Sequence, residues 1–160
     1  MTRTVELTAR LDCAPEEAWR HVRTSALLDH VAAPLIVFRP SDGRPFPECW
    51  TEGEHRAWMW LGGVLPIGWQ VIGIEFPENE PGRYRLRDNG YGPLIRRWDH
   101  WIVVESDGDE EGRGGTLYRD TVHIDAGLLT PLVAGFARLF YGHRQRRWRA
   151  LARDGFAPLR

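Results

Sequence analysis

The sequence predicts an α+β fold in which a strongly curved antiparallel sheet of about seven strands wraps around a long C-terminal helix, with two short helices after the first strand. Three observations predict this fold. An alternating segment opens the chain, strand-like segments fill its middle, and a long stretch of helical periodicity ends it. Because the helices flank a strand-rich middle, we expect them on one side of an antiparallel sheet.

The first strand and the two short helices are predicted from the residues before Pro34. In "TRTVELTARLD" apolar residues alternate with polar ones, as in an amphipathic strand. In "CAPEEAWRHV", Pro15 suits the first helical position, and Glu16 and Glu17 suit the positive end of a helix. "SALLDHVAA" predicts a second short helix, which Pro34 would stop.

The rest of the chain predicts six strands and one long helix. The strand-like segments are "LIVFRP", "CWTEGEHRAWMWL", "GWQVIGIEF", "GRYRLRD", "RRWDHWIVVES" and "GGTLYRDTVHID". The helix should run from about Leu129 to Arg153, beginning near Thr130 and Pro131 and ending before Gly155. The residues that recur at helical spacing are Leu132, Phe136, Leu139, Phe140, His143, Arg147 and Leu151. One helix cannot fill the concavity of such a sheet, so we expect a cavity between them.

Composition excludes several classes of protein. The 160 residues predict one domain over residues 1–160, and a net charge of −1 gives no general attraction to nucleic acid. All 21 basic residues are arginine, so a Schiff-base lysine and a P-loop lysine are excluded. No signal peptide or membrane-spanning segment is expected.

The cysteines and histidines predict no metal site and no cofactor. Cys13 and Cys49 do not form a CxxC pair, which favours free thiols in a cytoplasmic protein. The six histidines lack metal-ligand spacing such as HExxH, and no cysteine cluster supports zinc.

Two segments carry a resemblance to a known superfamily. "VELTARLDCAPEEAWRHV", together with "GGTLYRDTVHID" leading into a helix with "LFYGHRQRRWRAL", resembles the START/Bet v 1-like (SRPBCC) superfamily, in its polyketide cyclase/dehydrase and lipid-transport group. The resemblance implies a helix-grip fold around an apolar pocket. It also implies ligands such as lipids, quinones, polyketides or hormones, and in some members cyclisation or dehydration of the ligand.

Even-numbered residues of the last three strands are predicted to face the pocket. In "RRWDHWIVVE" the charges fall on odd positions, which places those positions outside. The arginines of "GRYRLRD" likewise share one face of their strand. The predicted inward set is Tyr84, Leu86, Asp88, Trp98, His100, Ile102, Val104, Tyr118, Asp120, Val122 and Ile124.

Loop positions predict which inward residues oppose each other. The loop "DGDEEGRGG" centres near residue 110, which pairs His100 with Asp120. The loop "NGYGPLI" centres near residue 92, which pairs Tyr84 with His100 and, on the outer face, Arg85 with Asp99. His100 would then lie beside Tyr84, Tyr118 and Asp120 within an apolar wall.

This polar group has three interpretations. His100 and Asp120 could satisfy each other's hydrogen bonds only, could bind a ligand, or could act as acid and base on a bound enol or alcohol. Asp120 would raise the pKa of His100 if ionic attraction outweighed desolvation, whereas burial alone would lower it.

Other side chains have both a binding and a structural interpretation. Trp58, Trp60 and Trp69 could line an aromatic slot or pack ordinarily, and His143 could cap the pocket beside Phe136 and Phe140 or be a satisfied core histidine. The remaining arginines of the last helix could meet an acidic surface, but a solvated face is favoured. They are Arg138, Arg144, Arg146, Arg149 and Arg153.

Three functions stay open at this level. The first is binding or transport of a small hydrophobic molecule without catalysis, and the second is a cyclase or dehydratase that uses His100 and Asp120. The third is a module that presents the arginine-rich helix to a protein partner of unknown kind. The sequence favours the first, because no complete set of acid, base and nucleophile is evident.

Overall fold

The elements of the computed structural model follow the predicted order, and the structure describes residues 1–108 and 114–160. Within these ranges the elements are β1 (Arg3–Leu11), α1 (Pro15–Val22), α2 (Ser25–Ala32), β2 (Ile36–Pro40), β3 (Gly53–Leu61), β4 (Leu65–Glu75), β5 (Arg83–Gly90), β6 (Arg97–Ser106), β7 (Thr116–Asp125) and α3 (Thr130–Arg153). Short 3-10 turns cover Gly127–Leu129 and Ala157–Leu159.

The strands form one antiparallel sheet in the order β1-β7-β6-β5-β4-β3-β2. The first strand therefore lies beside the last, with Val5 opposite Val122. A register shift between Met59 and Trp60, opposite Gly68 at φ 111°, breaks the regular pairing of β3 and β4. Bulges of this kind bend a sheet. The predicted fold class, an α+β helix-grip arrangement, is confirmed.

Local sequence signals set the helix ends. Pro15 begins α1, and the Thr24 hydroxyl accepts a hydrogen bond of 3.3 Å from Leu27 N at the start of α2. The C-terminus of α3 is closed by Gly155 at φ 61°, after which Phe156 N donates to Leu151 O over 2.9 Å. Glycine takes this left-handed conformation at little cost, which is why the helix ends there.

The face of α3 that meets the sheet differs from the predicted stripe. Leu132 and Leu139 are mostly exposed. The buried residues are Thr130, Ala134, Ala137, Phe140, Tyr141, Arg144, Gln145, Trp148, Leu151 and Ala152. These residues keep a spacing of three and four, and the small alanines let the helix backbone approach the sheet closely. The prediction that Arg144 shares the solvated arginine face is therefore wrong.

Both predicted hairpin registers are wrong, although the inward set is right. His100 pairs with Val122, and Asp120 pairs with Ile102. His100 faces Asp88 across β5, so Tyr84 is not its neighbour. The β5 slip arises because the Asn-Gly of "NGYGPLI" continues the strand instead of turning. The predicted loop centre near residue 110 lies outside the described residues.

Both registers differ from the prediction by an even number of residues, so each strand still points the same residues inward.

On the outer face the predicted pair of Arg85 with Asp99 is also wrong. Arg87 forms a bidentate ion pair with Asp99, with Nε–Oδ1 at 2.8 Å and Nη2–Oδ2 at 3.0 Å. Arg97 Nη2 donates to the same carboxylate over 2.7 Å. This pairing explains how Asp99 is almost fully buried on that face.

Two apolar clusters share the space between α3 and the sheet. The first, here called the packed end, contains Tyr118, Trp148, Leu151 and Phe156 together with α1. The second, here called the cavity end, contains Trp98, Ala137, Phe140 and Tyr141. None of the helices in the described part of the chain combines the length and the apolarity needed to cross a membrane.

Candidate functional site

A cavity of about 580 Å³ lies between the first half of α3 and the sheet. Its size falls within the range of small-molecule sites in proteins. Its apolar wall consists of Leu28, Ile36, Phe38, Met59, Ile67, Trp69, Ile72, Pro93, Leu94, Ile95, Trp98, Leu132, Val133, Phe136 and Phe140. The cavity expected from the sequence is therefore present.

Exposed apolar side chains surround the mouth of the cavity. Leu94 of the β5–β6 connection, Leu132 at the start of α3 and Ile67 of β4 are all exposed to solvent, yet they also line the cavity. They mark the opening between the connecting loop and the first turn of the helix. An apolar molecule entering here would meet apolar side chains first.

Four polar residues line the same cavity: Gln70, Asp88, Tyr141 and Arg144. Gln70 Nε2 and Asp88 Oδ1 come together over Gly90, where a Cβ atom would lie 3.1 Å and 3.2 Å from them. The absence of a side chain at Gly90 therefore makes this approach possible. Asp88 Oδ1 accepts a hydrogen bond of 2.8 Å from Gly73 N. Burial nevertheless raises the pKa of Asp88 to about 7.

Arg144 is the most unusual of the four. Its side chain comes from α3, and only 6% of the residue is exposed. Its Nε has no hydrogen-bond partner among the described residues. The guanidinium carbon lies 4.9 Å from the ring centre of Tyr141 and 5.6 Å from that of Phe140. These cation–π contacts offset part of the cost of burying the charge.

Four buried residues joined by hydrogen bonds, here called the polar layer, link Tyr118 of the packed end to His100, which contacts Tyr141 of the cavity end. The polar layer consists of His100, Tyr118, Asp120 and Gln145. Asp120 Oδ1 accepts from His100 Nε2 over 2.7 Å and from the Tyr118 hydroxyl over 3.0 Å. Asp120 Oδ2 accepts from Gln145 Nε2 over 2.9 Å, and Gln145 also donates to Leu7 O.

Burial decides the charge states in the polar layer. Desolvation lowers the pKa of His100 below its ordinary 6.5 and outweighs the attraction of Asp120. The imidazole is therefore neutral near pH 7 and carries its proton on Nε2, which donates to Asp120. Burial alone would raise the pKa of Asp120, but hydrogen bonds from His100 and Gln145 and the charge of Arg144 hold it below its usual value.

The structure separates the residues that the sequence proposed for the site. Trp69, Trp98, Phe136 and Phe140 are among the residues that line the cavity. Trp98 also donates from Nε1 to the Tyr141 hydroxyl over 3.1 Å. The polar layer holds His100, Tyr118 and Asp120, none of which is among the lining residues. His100 instead contacts Tyr141, with ring centres 4.7 Å apart.

Two further predicted residues belong to the packed end, and one to the packing of α3 against α2. Tyr84 stacks on Trp19 at 5.4 Å, and Ile102 is buried in the same cluster. His143 donates from Nε2 to Ala33 O over 2.8 Å, and it is not among the residues that line the cavity.

Of the three tryptophans proposed as an aromatic slot, Trp69 borders the cavity, whereas Trp58, its partner across β3 and β4, and Trp60 do not. Trp58 is 46% exposed, and the Arg39 guanidinium lies 4.5 Å from the Trp60 ring. Arg56 lies 4.2 Å from the ring of Trp69, although Trp69 also borders the cavity. Met59, between the first two tryptophans, lines the cavity because neighbouring strand residues face opposite sides.

Sequence reasoning missed Gln70, Tyr141 and Arg144 and assigned no role to Asp88. One signal could have found Arg144: it lies seven residues after Ala137, three after Tyr141 and four before Trp148, which is the spacing of one helix face. The described residues contain no group of three or more His, Cys, Asp or Glu side chains placed to hold a metal ion.

Comparison with solved structures shows the fold. A START superfamily protein from Mycobacterium smegmatis is 16% identical with a TM-score of 0.61, covering 94% of this chain and 97% of its own. A conserved protein from Geobacillus kaustophilus is 14% identical with a TM-score of 0.60, covering 96% of each chain. The protein Ara h 8.0201 is 11% identical with a TM-score of 0.62, covering 96% of this chain and 99% of its own.

Comparison by sequence gives a family but no curated relative. No curated protein matches the chain. Residues 9–152 match the family described as "Domain of unknown function (DUF8410)". The match covers most of the chain, and the solved structures share its sheet and long C-terminal helix. The chain therefore belongs to the DUF8410 family and has the START/Bet v 1-like (SRPBCC) fold.

Proposed function

We propose that residues 1–160 form one ligand-binding domain that binds or transports a small hydrophobic molecule such as a lipid, quinone or polyketide-like compound. The observation that carries the proposal is the apolar cavity of about 580 Å³ beneath α3. Core packing in proteins leaves few voids larger than a water molecule. A cavity of this size, lined by Phe136, Phe140 and Trp98, forgoes packing energy that a ligand would restore.

The mouth supports the same function. Leu94 and Leu132 are 67% and 73% exposed at the entrance, where they are solvated at a cost in free energy. A ligand that reaches the cavity would cover part of this surface. Apolar side chains at a site of exchange are typical of proteins that transfer a ligand between water and an apolar phase.

The acid–base alternative has less support from the geometry. His100 and Asp120 would have to touch the ligand, yet neither borders the cavity, and Tyr141 lies against His100 on the cavity side. The neutral imidazole has its Nε2 proton committed to Asp120. This arrangement favours a structural role for the pair.

Binding can be tested with a neutral ligand and two matched variants. Decanol should bind the wild-type protein in isothermal titration calorimetry, and native mass spectrometry of freshly purified protein should detect a co-purified small molecule. Val133→Trp places a large ring in the cavity lining, so it should weaken decanol binding roughly tenfold or more.

Leu139→Trp is the matched control, because Leu139 lies on the same helix but is 58% exposed and does not line the cavity. It should bind decanol as the wild type does. The proposal fails if the wild type takes up no apolar ligand, or if both tryptophan variants bind decanol equally well.

A further inference from the structure

We propose that the ligand carries a carboxylate head group that binds Arg144 at the inner end of the cavity, with its apolar body directed to the mouth. This inference rests on the proposed function. It begins with a side chain that is 94% buried, lines the cavity and has a guanidinium Nε without a hydrogen-bond partner among the described residues.

The charge of Arg144 is permanent. Arginine stays protonated at any physiological pH, so a buried guanidinium needs an anion or several acceptors. Its neighbours in the structure are the faces of two aromatic rings, Tyr141 and Phe140. The ring faces attract the cation. They do not, however, accept hydrogen bonds from its five N–H groups in the way that the oxygens of a carboxylate do.

The nearby carboxylates are committed to other groups. Asp120 accepts hydrogen bonds from His100, Tyr118 and Gln145. Asp88 accepts from Gly73 N, and its raised pKa leaves it partly protonated near pH 7. These carboxylates act on the charge of Arg144 from a distance, whereas its Nε has no hydrogen-bond partner among the described residues. We infer that a ligand acceptor meets the guanidinium.

Position along α3 gives the ligand its orientation. Leu132 lies at the mouth, and Arg144 follows it by a rise of about 18 Å at 1.5 Å per residue. The wall between them is apolar, with Phe136 and Phe140 on the helix side. A molecule that satisfies both ends therefore has an acidic head and an extended apolar body.

The polar groups around Arg144 favour a carboxylate over a phosphate. Guanidinium and carboxylate match in a planar, bidentate geometry. A phosphate would bring close to two negative charges beside Asp88 and Asp120, with a single cation to balance them. A monoanion suits one arginine, and a protonated Asp88 can donate a hydrogen bond to it.

The test compares decanoate with decanol, which has the same chain but no charge. In isothermal titration calorimetry at pH 6.5, the wild type should bind decanoate more tightly than decanol. Arg144→Met, which keeps the length of the side chain, should weaken decanoate binding roughly 10- to 100-fold and leave decanol binding unchanged. Arg146→Met, an exposed arginine on the same helix, should bind both as the wild type does.

Each outcome separates this inference from the proposed function. If decanol binds, but decanoate binds no better and Arg144→Met weakens neither ligand, the head-group inference is overturned while ligand binding stands. If neither molecule binds the wild type, both are overturned. Equal loss of decanoate and decanol in Arg144→Met overturns the head-group inference as well.

A second measurement needs no variant. The carbon signal of decanoate labelled at its carboxyl group can be followed by NMR while the pH of the complex is lowered. A carboxylate beside Arg144 should titrate at least one pH unit below its value in water. Titration at or above the value in water would overturn the inference.

Discussion

The two ends of α3 are built from the same kinds of residue and are packed very differently. At the packed end the rings of Tyr118 and Trp148 lie 5.3 Å apart, and Trp148 and Phe156 meet edge to face at 6.1 Å. At the cavity end Phe136 and Phe140 stack at 5.8 Å beside the cavity of about 580 Å³. Aromatic content alone therefore does not determine how well a region is packed.

The difference comes from how far each end is covered. α1 and the C-terminal turn cover the packed end, where Trp19 stacks on Tyr84 and His21 stacks on Phe156. At the cavity end the β5–β6 connection and the first turn of α3 border the mouth instead of covering it, and Leu94 and Leu132 are exposed there. If the proposed function is right, the second half of α3 serves mainly stability and its first half serves binding, with the polar layer at their boundary.

The largest expected effect tests this division directly. Trp148→Ala should lower the free energy of unfolding by about 3–5 kcal/mol, because the ring is fully buried among other rings. Phe136→Ala should cost only about 1–2 kcal/mol, since one side of that ring already faces the cavity. Urea unfolding of both variants measures the difference, and equal losses would contradict the division.

Asp120→Asn should have a smaller effect, confined to stability. The amide would turn an N–H group toward a donor of the polar layer, so unfolding should become easier by about 1–3 kcal/mol. Decanol affinity should stay within about twofold of the wild type, because Asp120 does not line the cavity. A marked loss of affinity with little loss of stability would instead place this residue in the binding site.

The smallest expected effect concerns pH and depends on Asp88. Ionisation of Asp88 near pH 7 puts a negative charge beside the proposed site of the ligand carboxylate. Decanoate affinity of the wild type should therefore fall roughly three- to tenfold between pH 6 and 8. Asp88→Asn should remove this dependence, and calorimetry at both pH values measures it. If decanoate affinity of the variant depends on pH as in the wild type, Asp88 is not the group that causes the dependence.

Other groups that face Asp88 do not produce the same signal. β4 contributes the Gln70 amide and Gly73 N, α3 contributes Tyr141 and Arg144, and β6 contributes His100. Asp99 of β6 lies on the outer face and acts on Asp88 through its charge alone. Tyrosine and arginine titrate well above this range, and burial raises the pKa of Tyr141 further. The pKa of Asp99 is lowered below 3.8, so this carboxylate stays ionised between pH 6 and 8. Desolvation lowers the pKa of His100 below 6.5, so this imidazole is neutral near pH 7, where Asp88 titrates.

The same shift has a consequence for stability without ligand. Because the pKa of Asp88 is raised from 3.8 to about 7 in the folded state, its protonated form contributes stability that is full below pH 3.8. That contribution is lost as the pH rises through about 7. Asp88→Asn should therefore gain stability relative to the wild type between pH 5 and 8 in urea unfolding.

The fold was predictable because its signals are local or periodic. Alternation in β1, Pro15 at the start of α1 and the proline and glycine around α3 each fix an element independently of the rest of the chain. The prediction of which residues face inward is also correct, although both registers are wrong. A register shift of two or four residues leaves every side chain on the same face of its strand.

The site was harder to predict because it depends on register and on helix rotation. His100 meets Asp120 diagonally instead of directly, and Asp88 replaces Tyr84 as its neighbour across β5. Arg144 was hidden among arginines that occupy several faces of α3. A charged side chain on a helix is normally expected to be exposed to solvent. Only the folded structure shows that the sheet covers Arg144.

The depth of Arg144 also has a consequence for the speed of exchange. A molecule with a charged head must pass the apolar mouth with that head leading, which strips water from the charge before Arg144 can replace it. Entry should therefore be slow relative to diffusion and faster for the protonated acid than for its anion. Departure has to break the ion pair in the reverse order, so a tightly held ligand would have a long residence time.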